Sequence, residues 1–135
     1  MPHACSRALG AAARRNTRRG IEKEGLRVRP DGGLAADPHP KRLGSARSHP
    51  HITTDFSESQ LELITGVHTG VEAFLQELTR IYQVVYGNIG DQMMWCASMP
   101  CGLPADDAMP VGRYGSSDVG KAKSVERRGL AERYG

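Results

Sequence analysis

Between Gly70 and Asn88 the apolar residues Val71, Phe74, Leu75, Leu78, Ile81, Tyr82 and Val85 recur at steps of three and four. That spacing is one face of an amphipathic α-helix, and such a face has to be buried against another layer. The rest of the chain offers mostly short extended segments for this. Ile21 to Arg29 alternates as a strand does and is closed by the turn residues Pro30, Asp31, Gly32 and Gly33. A second short strand is expected at 33–36. His51 to Asp55 is extended through the β-branched Ile52, Thr53 and Thr54, and Ser59 to Thr65 reads as a further strand ended by Gly66. Residues 37–50 and 95–115, each broken by prolines, read as irregular loops. A last, strongly basic helix is expected from Ser117 or Asp118 to Arg133, with Asp118 as its N-cap. Residues 6–19 have the Ala and Arg content of a short helix, weakened by Gly10. Strands without βαβ alternation predict an α+β fold, its antiparallel strands joined by loops.

Composition decides how much core such a fold has. Two Phe, one Trp and four Tyr are the large core fillers, against 16 Gly and 8 Pro in 135 residues. This predicts a small, weakly cored domain or a piece of a larger one. The net charge of +3 is unevenly placed: no Asp or Glu precedes Glu22, while Arg7, Arg14, Arg15, Arg18 and Arg19 do. An acid-free start of this kind fits a transit peptide or a nucleic-acid arm; the plainer expectation is a solvated, partly helical leader over 1–19. No aromatic residue interleaves with these arginines, so bases would find nothing to stack on, which argues against nucleic acid. Apolar runs fall far short of the roughly 20 residues that span a bilayer, and no signal-peptide core is present, so a cytoplasmic protein is expected. Cys5, Cys96 and Cys101 form no CxxC and no second pair, so free thiols are expected.

The chemistry centres on carboxylates. In a strand, Glu22 and Glu24 project to the same side about 7 Å apart, a landing for a hard cation such as Mg²⁺, which takes oxygen ligands. Asp55, Glu58 and Glu62 surround a second strand, on which Gln60 and Glu62 share a face. Were the two strands neighbours, four carboxylates would converge, and a bound cation would offset their repulsion. The other reading, in which the carboxylates face water separately, stands equal to it on periodicity alone. His39, His49, His51 and His68 have no ligand spacing and read as loop or surface histidines. Met93, Met94 and Met99 are expected to pack against the sheet. No GxGxxG, Walker-type loop or GxSxG occurs, which argues against the common nucleotide and hydrolase folds.

Several ordered segments carry a resemblance. Residues 20–28 (GIEKEGLRV) follow the pattern G-(hydrophobic)-E-x-E-x-L-R-V. After them come 31–35 (DGGLA), 39–46 (HPKRLGSA), 52–65 (ITTDFSESQLELIT), 95–101 (WCASMPC), 113–117 (RYGSS) and 129–135 (GLAERYG). In this order they resemble the N-terminal part of the proteobacterial-type glutamate–cysteine ligases. The resemblance implies a glutamine-synthetase-like fold, an antiparallel sheet with flanking helices, here present only in part, with 20–135 as the N-terminal portion of the catalytic domain. It implies ATP as co-substrate, Mg²⁺ or Mn²⁺ as metal, and L-glutamate and L-cysteine as substrates. ATP would phosphorylate the γ-carboxylate of glutamate, and the cysteine amine would attack the acyl phosphate. This makes γ-glutamylcysteine in the first step of glutathione biosynthesis.

By resemblance, Glu22, Glu24, Asp55 and Glu62 match the metal-ligand positions, and Phe56 and Arg127 line the cysteine pocket, with Arg127 on the substrate carboxylate. No catalytic residue is assigned within this stretch. Two departures stand out: Glu126 where the family has tyrosine, which would repel the cysteine carboxylate, and Gly66 where a proline is common. Family members are several times longer, so the chain alone is expected to lack ligase activity and to need a missing C-terminal portion. The alternatives are a basic anion- or nucleic-acid-binding module, whose affinity would fall with salt, and a nonfunctional fragment with unpaired strand edges.

Overall fold

A computed structural model describes residues 17–99, 101–105, 108–113 and 118–134. The expected helix over 6–19, Cys5 and the start of the last helix at Ser117 lie outside the described residues, apart from residues 17–19. The alternating segment after Gly20 forms β1 (Glu22–Val28). β2 (Ile52–Thr53) and β3 (Gln60–Ile64) follow, then α1 (Val71–Tyr86), β4 (Met93–Met94) and α2 (Asp118–Tyr134). The four strands make one antiparallel sheet in the order β2-β3-β1-β4. The architecture is α+β, as expected.

The two long strands are neighbours. β1 and β3 pair from Glu22 opposite Ile64 to Leu26 opposite Gln60, and β2 adds Ile52 opposite Leu63 and Thr53 opposite Glu62. Directly opposed residues share a face, so one face carries Leu61, Leu63 and Ile52, all buried. α1 packs on that face, and Ile81, Val85, Ile89, Leu43 and Met94 complete the core, with Leu78 and Tyr82 at its margin. The other face carries Glu22, Glu24, Gln60, Glu62 and Thr53.

Three sequence expectations are adjusted. The segment at 33–36 contributes single bridges, Val28 to Leu34 and Gly33 to Gly102, rather than a strand. The turn before it is as expected, with Gly32 at φ +82° and the Asp31 side chain accepting from the Gly33 N–H at 2.9 Å. The apolar stripe of α1 is buried only toward its C-terminal half, and Val71 and Leu75 are about half exposed. Of the three methionines, Met94 is buried in β4, while Met93 and Met99 are exposed.

Candidate active site

β1 and β3 bring two of the expected cation ligands face to face: Glu24 stands directly opposite Glu62. Glu22 lies two residues along β1 on the same side, opposite Ile64. Polar neighbours orient the pair. Thr53 on β2 donates its hydroxyl to Glu62 Oε2 at 2.9 Å, and the Gln60 amide donates to Glu24 Oε2 at 3.2 Å. Like charges directly across a sheet are destabilising, and among the described residues one hydrogen bond reaches each carboxylate. Such an arrangement suits a hard cation supplied with further oxygen ligands. Among the described residues, however, no three His, Cys, Asp or Glu side chains gather closely enough to hold a metal ion.

Asp55 follows β2 and meets Arg127 of α2, which donates from Nη2 to Asp55 Oδ1. The same guanidinium lies over the Phe56 ring, 5.2 Å from its centroid, a cation–π geometry. Phe56 and Arg127, 71 positions apart in sequence, are thus brought together with Asp55. The Arg127 side chain is 18 % exposed, and its Nε is buried without a hydrogen-bond partner. Glu126 beside it is exposed.

The segment that precedes α2 is held by Glu58, which the acidic pattern alone grouped with Asp55 and Glu62. Glu58 is buried, 3 % exposed, away from the carboxylate face. Its carboxylate accepts from the His39 N–H at 2.9 Å and from the Arg113 N–H. The Glu58 N–H donates to the Pro110 carbonyl and the Gly112 N–H to the Phe56 carbonyl. This brace ties 110–113 to the segment entering β3.

Arg27 is a residue the sequence did not single out. It projects to the inner side of β1, fully buried, and donates to the carbonyls of Asp37 and Glu58 at 2.6 and 2.8 Å and to Gln92 Oε1 at 2.8 Å. Burial pushes its pKa down, and the nearby Asp37 and Glu58 carboxylates partly offset that. The available signal was its parity: an Arg on the inward side of a strand needs carbonyl acceptors around it.

A cleft of about 560 Å³ opens between β1 and the segment 95–99, with Glu24, Gln60, Trp95, Cys96 and Met99 on its walls. It meets the carboxylate face at Glu24 and Gln60. Gly25 allows the close approach: a Cβ there would stand 2.9 Å from the Met94 terminal methyl carbon. Cys96 and Cys101 are free thiols. The histidines are not all idle surface groups. His68 Nε2 lies 2.6 Å from Glu77 Oε2, the oxygen that also accepts from the Gly66 N–H at 2.9 Å, which ties α1 to the end of β3.

A sequence model of the glutamate–cysteine ligases matches residues 6–135. The chain belongs to the glutamate–cysteine ligase family. It is 50 % identical over 133 residues to the glutamate–cysteine ligase of Alcanivorax borkumensis, covering 98 % of this chain and 25 % of that one. It is 53 % identical over 117 residues to that of Bordetella petrii, covering 87 % and 22 %. Among solved structures it is similar to the glutamate–cysteine ligase of Francisella tularensis in complex with AMP. There the TM-score is 0.81 at 39 % identity, over 87 % of this chain and 24 % of that one. A bifunctional glutathione synthetase from Pasteurella multocida matches with a TM-score of 0.73 at 38 % identity, over 86 % and 15 %. The chain therefore spans about a quarter of the length of the curated relatives. Its sheet is part of the glutamine-synthetase-like fold of this ligase family. Among the described residues no helix is long and apolar enough to cross a membrane.

Proposed function

We propose that this chain supplies the N-terminal portion, over residues 20–135, of the catalytic domain of a cytoplasmic, ATP-dependent glutamate–cysteine ligase. The single observation that carries this is the family match along almost the whole chain; the opposed Glu24 and Glu62 on one sheet face support the cation role. In that role Glu22, Glu24, Asp55 and Glu62 are the chain's contribution to Mg²⁺ or Mn²⁺ binding. Bound there, the cation would offset the repulsion between phosphate and carboxylate and draw off charge as the phosphoryl group transfers. The remaining ligands, the glutamate pocket and most of the nucleotide site belong to the part of the relatives that this chain does not span.

Arg127 and Phe56 are assigned to cysteine: the guanidinium to its carboxylate, the ring to holding the guanidinium plane. The AMP complex of the Francisella relative supports ATP as the second substrate. The test is a chimaera in which residues 20–135 replace the matching stretch of the Alcanivorax enzyme. ADP release that requires both glutamate and cysteine is expected, whereas the isolated chain should release none. An active chimaera that tolerates Glu24→Gln and Glu62→Gln together would sink the assignment of the carboxylate face.

A further inference from the structure

Beside the buried Arg27 and Glu58 stands a third titratable group, His39, and no part of the proposed ligase chemistry uses it. Its backbone N–H donates to Glu58 Oε1 at 2.9 Å. The residues before it are held as well: the Asp37 carbonyl accepts from Arg27, and the Asp37 carboxylate accepts from Gln92 at 2.9 Å. The imidazole is different. Both ring nitrogens are shielded from solvent and have no hydrogen-bond partner among the described residues. We propose that His39 is an acid-opened latch: taking up a proton drives its ring out of this cluster and releases residues 37–40 from Glu58, while the sheet and α1 stay folded.

The geometry suits the neutral ring and not the charged one. An imidazolium carries two N–H donors. In this position neither donor has an acceptor, and a buried donor without one is costly. The Arg27 guanidinium on β1 and the His49 ring in the loop before β2 both oppose a positive charge there, and the Glu58 carboxylate on the segment entering β3 favours it. That carboxylate is already engaged by the His39 and Arg113 N–H groups. Asp37 is turned to Gln92, and Lys41 and Arg42 beyond Pro40 are exposed. Burial first, and then Arg27, push the imidazole pKa below the ordinary histidine value. Outside the cluster the ring meets water and titrates normally, near about 6.5. The closed form therefore binds the proton less readily than the open one. Closing is fully favoured above about pH 6.5 and loses ground as pH falls below it, until the lower closed-state value is reached.

Opening reaches beyond the loop. Pro38 and Pro40 flank His39 and stiffen the backbone on either side, so the ring and the N–H leave together. Glu58 then loses one of the two N–H groups that reach its carboxylate, and its hold on Arg113 becomes looser.

The test is amide hydrogen exchange of the 135-residue chain from about pH 7.5 to about pH 5, across the ordinary histidine range. Each rate is corrected for its intrinsic pH dependence, and the His39 ring is titrated in parallel by NMR. The opening constant of the His39 amide is expected to rise about tenfold per pH unit below about pH 6.5. That of the Arg113 amide should rise with it, and those of residues 81–85 in α1 should change less. His39→Leu should abolish the rise at both amides. Since the ring nitrogens it removes have no partners, it should leave stability at neutral pH unchanged or higher. A rise of the same steepness in His39→Leu would overturn the latch, as would exchange that slows in acid because the imidazolium pairs with Glu58 in place. The wild-type ring titration decides independently of any variant. A His39 ring that stays neutral until the amides open supports the latch, and one that titrates at the ordinary histidine value with the amides still protected overturns it.

Discussion

At the scale of single residues, the energetic weight lies in buried charges whose partners are fixed by the fold. Arg27 is completely enclosed and satisfies two carbonyls and an amide oxygen from three separate segments. Arg27→Met would remove the charge but leave those acceptors without donors. The expected loss is about 3 kcal/mol or more, read from the urea midpoint of unfolding. Glu77 has a pH signature. The hydrogen bond from His68, with lesser help from the Gly66 N–H, lowers its pKa below the ordinary glutamate value. A depressed carboxylate contributes stability above its unfolded-state pKa and loses it as pH falls through the lower folded-state value. Thermal melts of Glu77→Gln should therefore fall below wild type near neutral pH and converge with it in acid. A constant gap across the whole pH range would show that Glu77 matters through packing rather than ionisation.

At the scale of elements, the sheet and α1 form the core, and α2 is attached through a brace. Leu63 is fully buried between β3 and α1, so Leu63→Ala should cost about 2–5 kcal/mol. Leu75, in the N-terminal half of the same helix and 48 % exposed, should change by no more than about 0.5 kcal/mol when shortened to alanine. Chemical denaturation of the two variants separates a packed stripe from an unpartnered one. For α2 the relevant residue is Glu58, which accepts from the Arg113 N–H in the segment before that helix. Glu58→Ala should raise amide hydrogen exchange throughout 118–134 more than in α1, because the connection rather than the core is lost. Equal protection of the two helices in that variant would remove Glu58 from its bracing role. The histidine side chains illustrate the same dependence: the sequence offers only isolated loop histidines, whereas the fold turns His68 into a link between α1 and β3.

At the scale of the whole molecule, one sheet face is committed to packing and the other to charge. Glu24 and Glu62 repel each other across that open face, so a cation bound there should stabilise the fold by mass action. Mg²⁺ is expected to raise the melting temperature of the chain in a concentration-dependent way. Glu62→Gln should melt no lower than wild type without Mg²⁺ and respond little to adding it, since the glutamine oxygen still accepts from Thr53 and the like-charge contact is gone. An unchanged response to Mg²⁺ in that variant would place the cation elsewhere. Melting followed by circular dichroism also bears on the alternative of a poorly folded remnant, for which no cooperative transition is expected.

Periodicity alone determined β1, β3 and α1 to within about two residues, because each is long enough for its pattern of side chains to be tied to one geometry; α2 was legible instead from Asp118 as a start signal and from its run of basic residues. It also put Glu22 with Glu24, and Gln60 with Glu62, on common faces, since alternation in a strand is a local property. What it left open was whether those faces coincide. That was decided by the pairing of β1 with β3, a contact between residues 34 or more positions apart that places Glu24 against Glu62. β4 and β2, two residues each, are too short to carry a period and exist because β1 and β3 present edges for them. The separation of Glu58 from its acidic neighbours, the enclosure of Arg27, and the meeting of Asp55, Phe56 and Arg127 are tertiary in the same sense. Each depends on which distant backbone groups come within hydrogen-bond reach, and a single sequence specifies that only through the free energy of the folded whole.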